Sequence, residues 1–218
     1  MNGEVTGIFA VADGVGGLSN GEIASAIAIS NLNKWWENEY QNVYNDKKLI
    51  VDSLSRVFGE TNMQLIEEGK KNDKKMGTTL SVMVINKNQI ITCHIGDSRI
   101  YRLRKKLIGH VIEQLTTDHS KDIRYQVGEE LVVKTMLTQC LGVNVNIVCD
   151  TSIQEISKND RYIVCSDGIY KEQSEKVIKS IMIDSVHAID MCSELINNAK
   201  KLGETDNITV VGIEVKER

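Results

Sequence analysis

Between Thr78 and Leu115 the chain passes through four β-rich segments with very little chain to join them. Thr78 to Ile85 and Gln89 to Ile95 are separated only by Asn86-Lys87-Asn88. Gly96-Asp97 then breaks the second run, Arg99 to Leu103 resumes, and Leu107 to Leu115 follows a short basic turn. A parallel neighbour needs a crossover of about a dozen residues or more, usually a helix. Connections this short allow only an antiparallel meander, and they exclude a βαβ series.

The flanks supply what such a sheet needs to cover it. Val5 to Ala12 reads as a strand that runs into the turn Asp13-Gly14. Ser19 and Glu22 have capping-box spacing ahead of a helix whose apolar stripe is Ile23, Ala24, Ile27, Ala28, Leu32 and Trp35. A second helix is predicted from about Lys47 to Gly69, with Leu49, Ile50, Leu54, Val57, Met63, Leu65 and Ile66 as its buried face. Trp35, Trp36 and Phe58 are read as core and helix-packing residues. Thr117 to Asn146 is polar and weakly periodic and receives no assignment. Strands return at Ile147–Ile156 and Arg161–Ser166, helices cover Glu172–Ile183 and Val186–Lys201, and Asn207–Val215 closes the chain as a strand. With no linker or repeat, residues 1–218 are expected to form a single α+β domain.

Composition narrows the function classes. The 218 residues carry 26 Lys and Arg against 30 Asp and Glu, a net charge of −4, which disfavours a general electrostatic grip on nucleic acid. The basic runs at 70–75 and 102–106 are short enough to be solvated turns. No stretch approaches the ~18 apolar residues of a membrane span, and no secretory signal pattern opens the chain. Five scattered cysteines, none in C-x-x-C spacing, read as buried apolar residues of a reducing compartment, so a cytoplasmic location is expected. Proline is absent altogether, so no polyproline ligand segment is present.

The informative feature is the position of the aspartates. Asp13 follows the apolar run 8–12, Asp97 follows the run ending at Gly96, and Asp167 follows Tyr162 to Ser166, whereas Asp206 precedes the strand beginning near Ile208. In antiparallel sheets the end of one strand lies beside the start of its neighbour, so all four can meet at one rim. Like charges brought together need a cation among them. Oxygen-only ligands favour a hard ion such as Mg²⁺ or Mn²⁺ over zinc. The competing reading is that Asp-Gly is simply a good turn dipeptide.

The string Phe9-Ala10-Val11-Ala12-Asp13-Gly14-Val15-Gly16-Gly17, with Asn20-Gly21-Glu22-Ile23-Ala24-Ser25 behind it, resembles the bacterial type 2C metal-dependent protein serine/threonine phosphatases (PPM type). The resemblance continues through Gly77-Thr78-Thr79, His94 to Tyr101, Leu115 to Ser120, Leu137 to Gly142, Ser166-Asp167-Gly168 and Asp206 to Thr209. It implies a sandwich of two antiparallel β-sheets flanked by helices, and hydrolysis of phosphoserine and phosphothreonine by a water or hydroxide that bridges two divalent metals. On that resemblance Asp13 bridges both metals and Gly14 offers a carbonyl to one. Asp167 and Asp206 hold the other, and Asp97 with Asp167 makes a weaker third site. Asn207 is expected to hold the Asp206 turn, and His119 to be structural. The implied cofactors are two Mg²⁺ or Mn²⁺ ions and a third at the weaker site. The implied partners are phosphoprotein substrates made by a bacterial kinase, with no nucleic acid or membrane, and a monomer is expected.

Departures from the family pattern set a second reading beside the first. Relatives carry, upstream of the first Asp-Gly, a strand pair with a phosphate-binding arginine and a Glu-Asp that completes one metal site. Here seven residues precede Ile8, and Glu4 lies within the strand itself, so the first strand or strands are expected to be missing. Leu18 stands where many relatives have His, Gln139 replaces a common Arg, and the flap between Ser120 and Leu137, expected to tune substrate choice, looks short. The alternative these departures support is a non-catalytic, phosphatase-like module that binds metal or a partner.

Overall fold

The computed structural model describes residues 5–15, 18, 20–127 and 130–216. Two four-stranded antiparallel sheets lie face to face. The first has the order β1-β2-β3-β8, from β1 (Thr6–Val11), β2 (Leu80–Asn86), β3 (Gln89–Ile95) and β8 (Asp150–Glu155). The second has the order β10-β9-β4-β5, from β4 (Arg99–Lys105), β5 (His110–Gln114), β9 (Arg161–Cys165) and β10 (Val210–Glu214). The meander is therefore real but split: β2 and β3 belong to one sheet, and the chain crosses to the other at Gly96–Ser98.

Three apolar layers follow from strand alternation. Along β2, Val82 and Val84 face the helices α1 (Gly21–Asn38) and α3 (Lys47–Lys71), where they meet Ala24, Ala28, Trp35, Leu54 and Phe58. The alternate residues Met83 and Ile85 face the second sheet and pack with Ile100, Tyr162, Val164 and Ile213. On the far side, Ile163 and Cys165 meet Ile178, Met182, Met191 and Leu195 of α4 (Glu175–Asp184) and α5 (Ala188–Lys201). A strand covered on both faces reads as a continuous apolar run, which is why β2 shows no polar alternation. The expected order of helix layer, two sheets and helix layer is what the chain forms.

Several local expectations change. The helix α1 begins after Asn20, which sits at a φ of 66° with no side-chain cap; Ser19 lies outside the described residues. Helix α3 is capped by the Asp46 carboxylate, which accepts from Lys48 N at 2.8 Å. Leu49 and Met63, assigned above to its buried face, are 48% and 42% exposed. A short helix α2 (Tyr40–Val43) links α1 to α3, and Trp36 stacks on its Tyr40 at 4.1 Å. The unassigned stretch forms a separate hairpin of β6 (Ser120–Val127) and β7 (Glu130–Leu137). All five cysteines are free thiols. Among the described residues no helix is long and apolar enough to cross a membrane.

Candidate metal centre

Register places the four aspartates on one rim. Val11 pairs with Ser81 and Ser81 with His94 in the first sheet; Arg99 pairs with Cys165 and Cys165 with Val210 in the second. The end of β1, the end of β3, the end of β9 and the approach to β10 therefore share one edge of the sandwich. Asp13, Asp97, Asp167 and Asp206 occupy those four positions.

Hydroxyl side chains hold the rim together. The Asp13 carbonyl accepts from Thr79 N at 2.9 Å and from the Thr78 hydroxyl at 3.0 Å, and Asp13 N donates to the Thr79 hydroxyl at 3.0 Å. The Thr79 and Ser98 hydroxyls are 2.7 Å apart, so the Asp13 turn is tied to the sheet crossover that carries Asp97. Gly96 takes a φ of +114°, and a Cβ there would lie 2.5 Å from the Thr79 Cβ. On the second sheet, Thr209 N donates to the Ser166 hydroxyl at 3.0 Å and Ser166 N donates to the Thr209 carbonyl at 3.0 Å. Gly168 packs so closely that a Cβ would meet the Asn207 carbonyl oxygen at 2.6 Å, which draws the Asp167 and Asp206 turns together. A groove of about 540 Å³ beside them is lined by Asp13, Gly14, Glu22, Ser25, Asn207 and Thr209.

The electrostatics are those of a site short of positive charge. Burial, followed by the nearby carboxylates of Asp167, Asp206 and Asp97, pushes the Asp13 carboxyl up from 3.8 to about 7. Burial and Asp167 push Asp97 up to about 6. Asp167 Oδ1 is buried without a hydrogen-bond partner. A cation reaches two of the carboxylates: Lys171 Nζ lies 2.6 Å from Asp167 Oδ2 and 2.9 Å from Asp206 Oδ2. It holds the Asp206 carboxyl below its usual range. No group of three His, Cys, Asp or Glu side chains among the described residues encloses a space for a metal ion. The orphaned oxygen and the raised carboxyls nevertheless fit a hard cation. Glu4, excluded above as the missing ligand, lies outside the described residues.

Sequence reasoning missed the residues that support this rim. Lys171 is one. Tyr170 is another: its hydroxyl donates to the Asp97 carbonyl at 2.7 Å, and the Arg99 guanidinium lies 3.4 Å over its ring. Arg99 is fixed in turn by Asp118 at 2.6 Å. The expected structural part for His119 has a clear basis, since Gly96 N donates to its Nδ1 at 3.2 Å and its Nε2 faces Asp150 at 3.2 Å. The nearby thiol of Cys140 is buried and raised to about 11, with Asp97 contributing, so it is no ready nucleophile.

The family model for protein phosphatase 2C matches residues 2–202. The chain belongs to the protein phosphatase 2C family. Among the relatives of this phosphatase, "Serine/threonine phosphatase stp" of Listeria monocytogenes serotype 4b (strain F2365) is 29% identical over 217 residues, covering 95% of this chain and 84% of that protein. The solved S. agalactiae serine/threonine phosphatase superposes with a TM-score of 0.82 at 28% identity, over 99% of this chain and 90% of that one. The catalytic domain of the serine/threonine protein phosphatase PstP, solved in complex with two manganese ions, superposes with a TM-score of 0.74 at 25% identity, over 99% of this chain and 94% of that domain. Membership makes this chain a metal-dependent protein serine/threonine phosphatase, with divalent cations as cofactors and phosphoproteins as substrates.

Proposed function

We propose that the rim is the catalytic metal centre, with Asp13, Gly14, Asp167 and Asp206 holding two Mg²⁺ or Mn²⁺ ions and Asp97 a third. The observation that carries this is the convergence of four carboxylates from both sheets on one rim, one with an orphaned buried oxygen, beside a solvent-open groove that Asp13 lines. Bound divalent cations supply Lewis acidity toward a phosphoryl group and a water nucleophile at neutral pH. The chain's own part is to position them. Thr78 and Thr79 fix the Asp13 turn, Ser166 and Gly168 fix the Asp167 and Asp206 turns, and Tyr170 anchors the Asp97 carbonyl. The Cys140 thiol beside the rim is pushed up to about 11 and stays protonated at neutral pH, and direct attack by water on phosphorus requires no phospho-enzyme.

The substrates are cytoplasmic phosphoproteins made by a bacterial serine/threonine kinase, and the chain acts as a monomer. The β6–β7 hairpin, which exposes Tyr125, Leu131 and Val133, contributes to substrate choice. Hydrolysis of p-nitrophenyl phosphate and of a phosphothreonine peptide, followed with and without Mn²⁺, tests the reading. Asp167→Asn and Asp206→Asn are each expected to lower the Mn²⁺-dependent rate at least about 100-fold, the ~2.7 kcal/mol or more that loss of transition-state charge stabilisation costs. Undiminished turnover in EDTA would refute it.

A further inference from the structure

Lys171 is one helical turn beyond Asp167, at the i, i+4 spacing that lets an ammonium reach back to a carboxylate. It does more than pair locally. Its Nζ also reaches Asp206, 35 positions away, and in each carboxylate it takes the Oδ2 oxygen. The opposite oxygen of Asp167 is left buried and unpartnered, while the lysine side chain itself is 42% exposed and can leave. Asp13 and Asp97, both acidic, also feel the Lys171 charge.

We infer that Lys171 is a tethered competitor for the metal held by Asp167 and Asp206, placing its ammonium against one oxygen of each carboxylate where the incoming ion must displace it. This rests on the reading of the rim as the metal centre. A divalent ion seated between these carboxylates would lie against the Lys171 ammonium, and the repulsion between two cations so close sets loading of this seat against both lysine contacts. Metal affinity is then set by a competition inside the chain. The metal-free protein is kept from the full repulsion of its carboxylates, and the seat fills only at a higher metal concentration.

Mn²⁺ binding by titration calorimetry, together with thermal unfolding in EDTA, tests this in the full chain. The variants are Lys171→Met, Lys171→Arg and, as a control for net charge, Lys105→Met at the opposite end of β4. Lys171→Met should bind Mn²⁺ about three- to tenfold more tightly than the parent, the factor an ion pair of this exposure corresponds to. Its metal-free form should melt about 2–4 °C lower. Lys171→Arg and Lys105→Met should stay within about twofold of the parent affinity. Equal or weaker Mn²⁺ binding by Lys171→Met overturns the competition. Mn²⁺ binding by the parent that Asp206→Asn leaves undiminished overturns the seat itself, and the competition with it.

Discussion

Replacing Asp13 by Asn should stabilise the metal-free protein at neutral and alkaline pH, although it removes a residue at the centre of the site. The native Asp13 carboxyl titrates at about 7 against an ordinary 3.8. The folded chain therefore retains that proton between pH 4 and 7, where the unfolded chain has lost it. The stability associated with Asp13 is complete below about pH 4 and is lost as pH rises through 7. At ~1.4 kcal/mol per pH unit the full difference corresponds to roughly 4 kcal/mol, and because the carboxyl is only part-buried, screening reduces the expected effect to about 2–3 kcal/mol. Asn keeps the shape and cannot ionise, and the three hydrogen bonds that fix the turn use the Asp13 backbone. Urea unfolding in EDTA at pH 5 and pH 8 measures the gap between variant and parent. Asp13→Asn should be the more stable by about 2–3 kcal/mol at pH 8 and by distinctly less at pH 5. Asp97, raised to about 6, gives both proteins a further decline with rising pH. A gap that does not widen between pH 5 and pH 8, or a variant less stable at pH 8, would refute the electrostatic account.

Two further substitutions test the support of the rim and the far end of the sandwich. His119→Ala leaves the buried Gly96 N without its acceptor and should cost about 1–3 kcal/mol in chemical unfolding. It should also loosen the Asp97 turn, seen as faster amide hydrogen exchange at Gly96–Ser98, and exchange there unchanged from the parent would count against that tie. Asp160 is fully buried and accepts from Arg104, from Ser157 N and from the Tyr162 hydroxyl. Asp160→Ala should cost about 3–5 kcal/mol by leaving Arg104 and two donors unmatched, and a loss below about 1 kcal/mol would contradict that burial.

The parts legible in the sequence are those with a local signal. Strand alternation and short turns give β1 to β4 and β9, and an aspartate at the end of each of three apolar runs, with a fourth ahead of the last strand, marks the rim. The β6–β7 hairpin escaped because it stands apart from both sheets with most of each strand exposed, so apolar residues are not confined to one face. Leu49 and Met63 match the helical period but fall at the edge of the α3 stripe, where only the packed neighbours decide exposure. Lys171 was legible in principle through its spacing from Asp167. Its second partner, Asp206, belongs to the turn before another strand, and that proximity exists only after β9 and β10 pair. The contact of His119 with Asp150 is likewise tertiary.

The split of the rim between two sheets has a kinetic consequence. Asp13 and Asp97 end strands of the first sheet, Asp167 and Asp206 border strands of the second, and the chain returns to the first sheet with β8 after β4 and β5 have entered the second. Neither half holds the complete set of charges, and a cation among them acts as a cross-link between layers that must slide or part for the sandwich to open. Docking of sheets with such distant pairings comes late in folding. Contacts formed after the main barrier slow unfolding and leave the folding rate almost untouched. A metal ion here would lengthen the lifetime of the folded state more than it hastens its formation, so a chain starved of metal would be vulnerable mainly through the speed with which it opens.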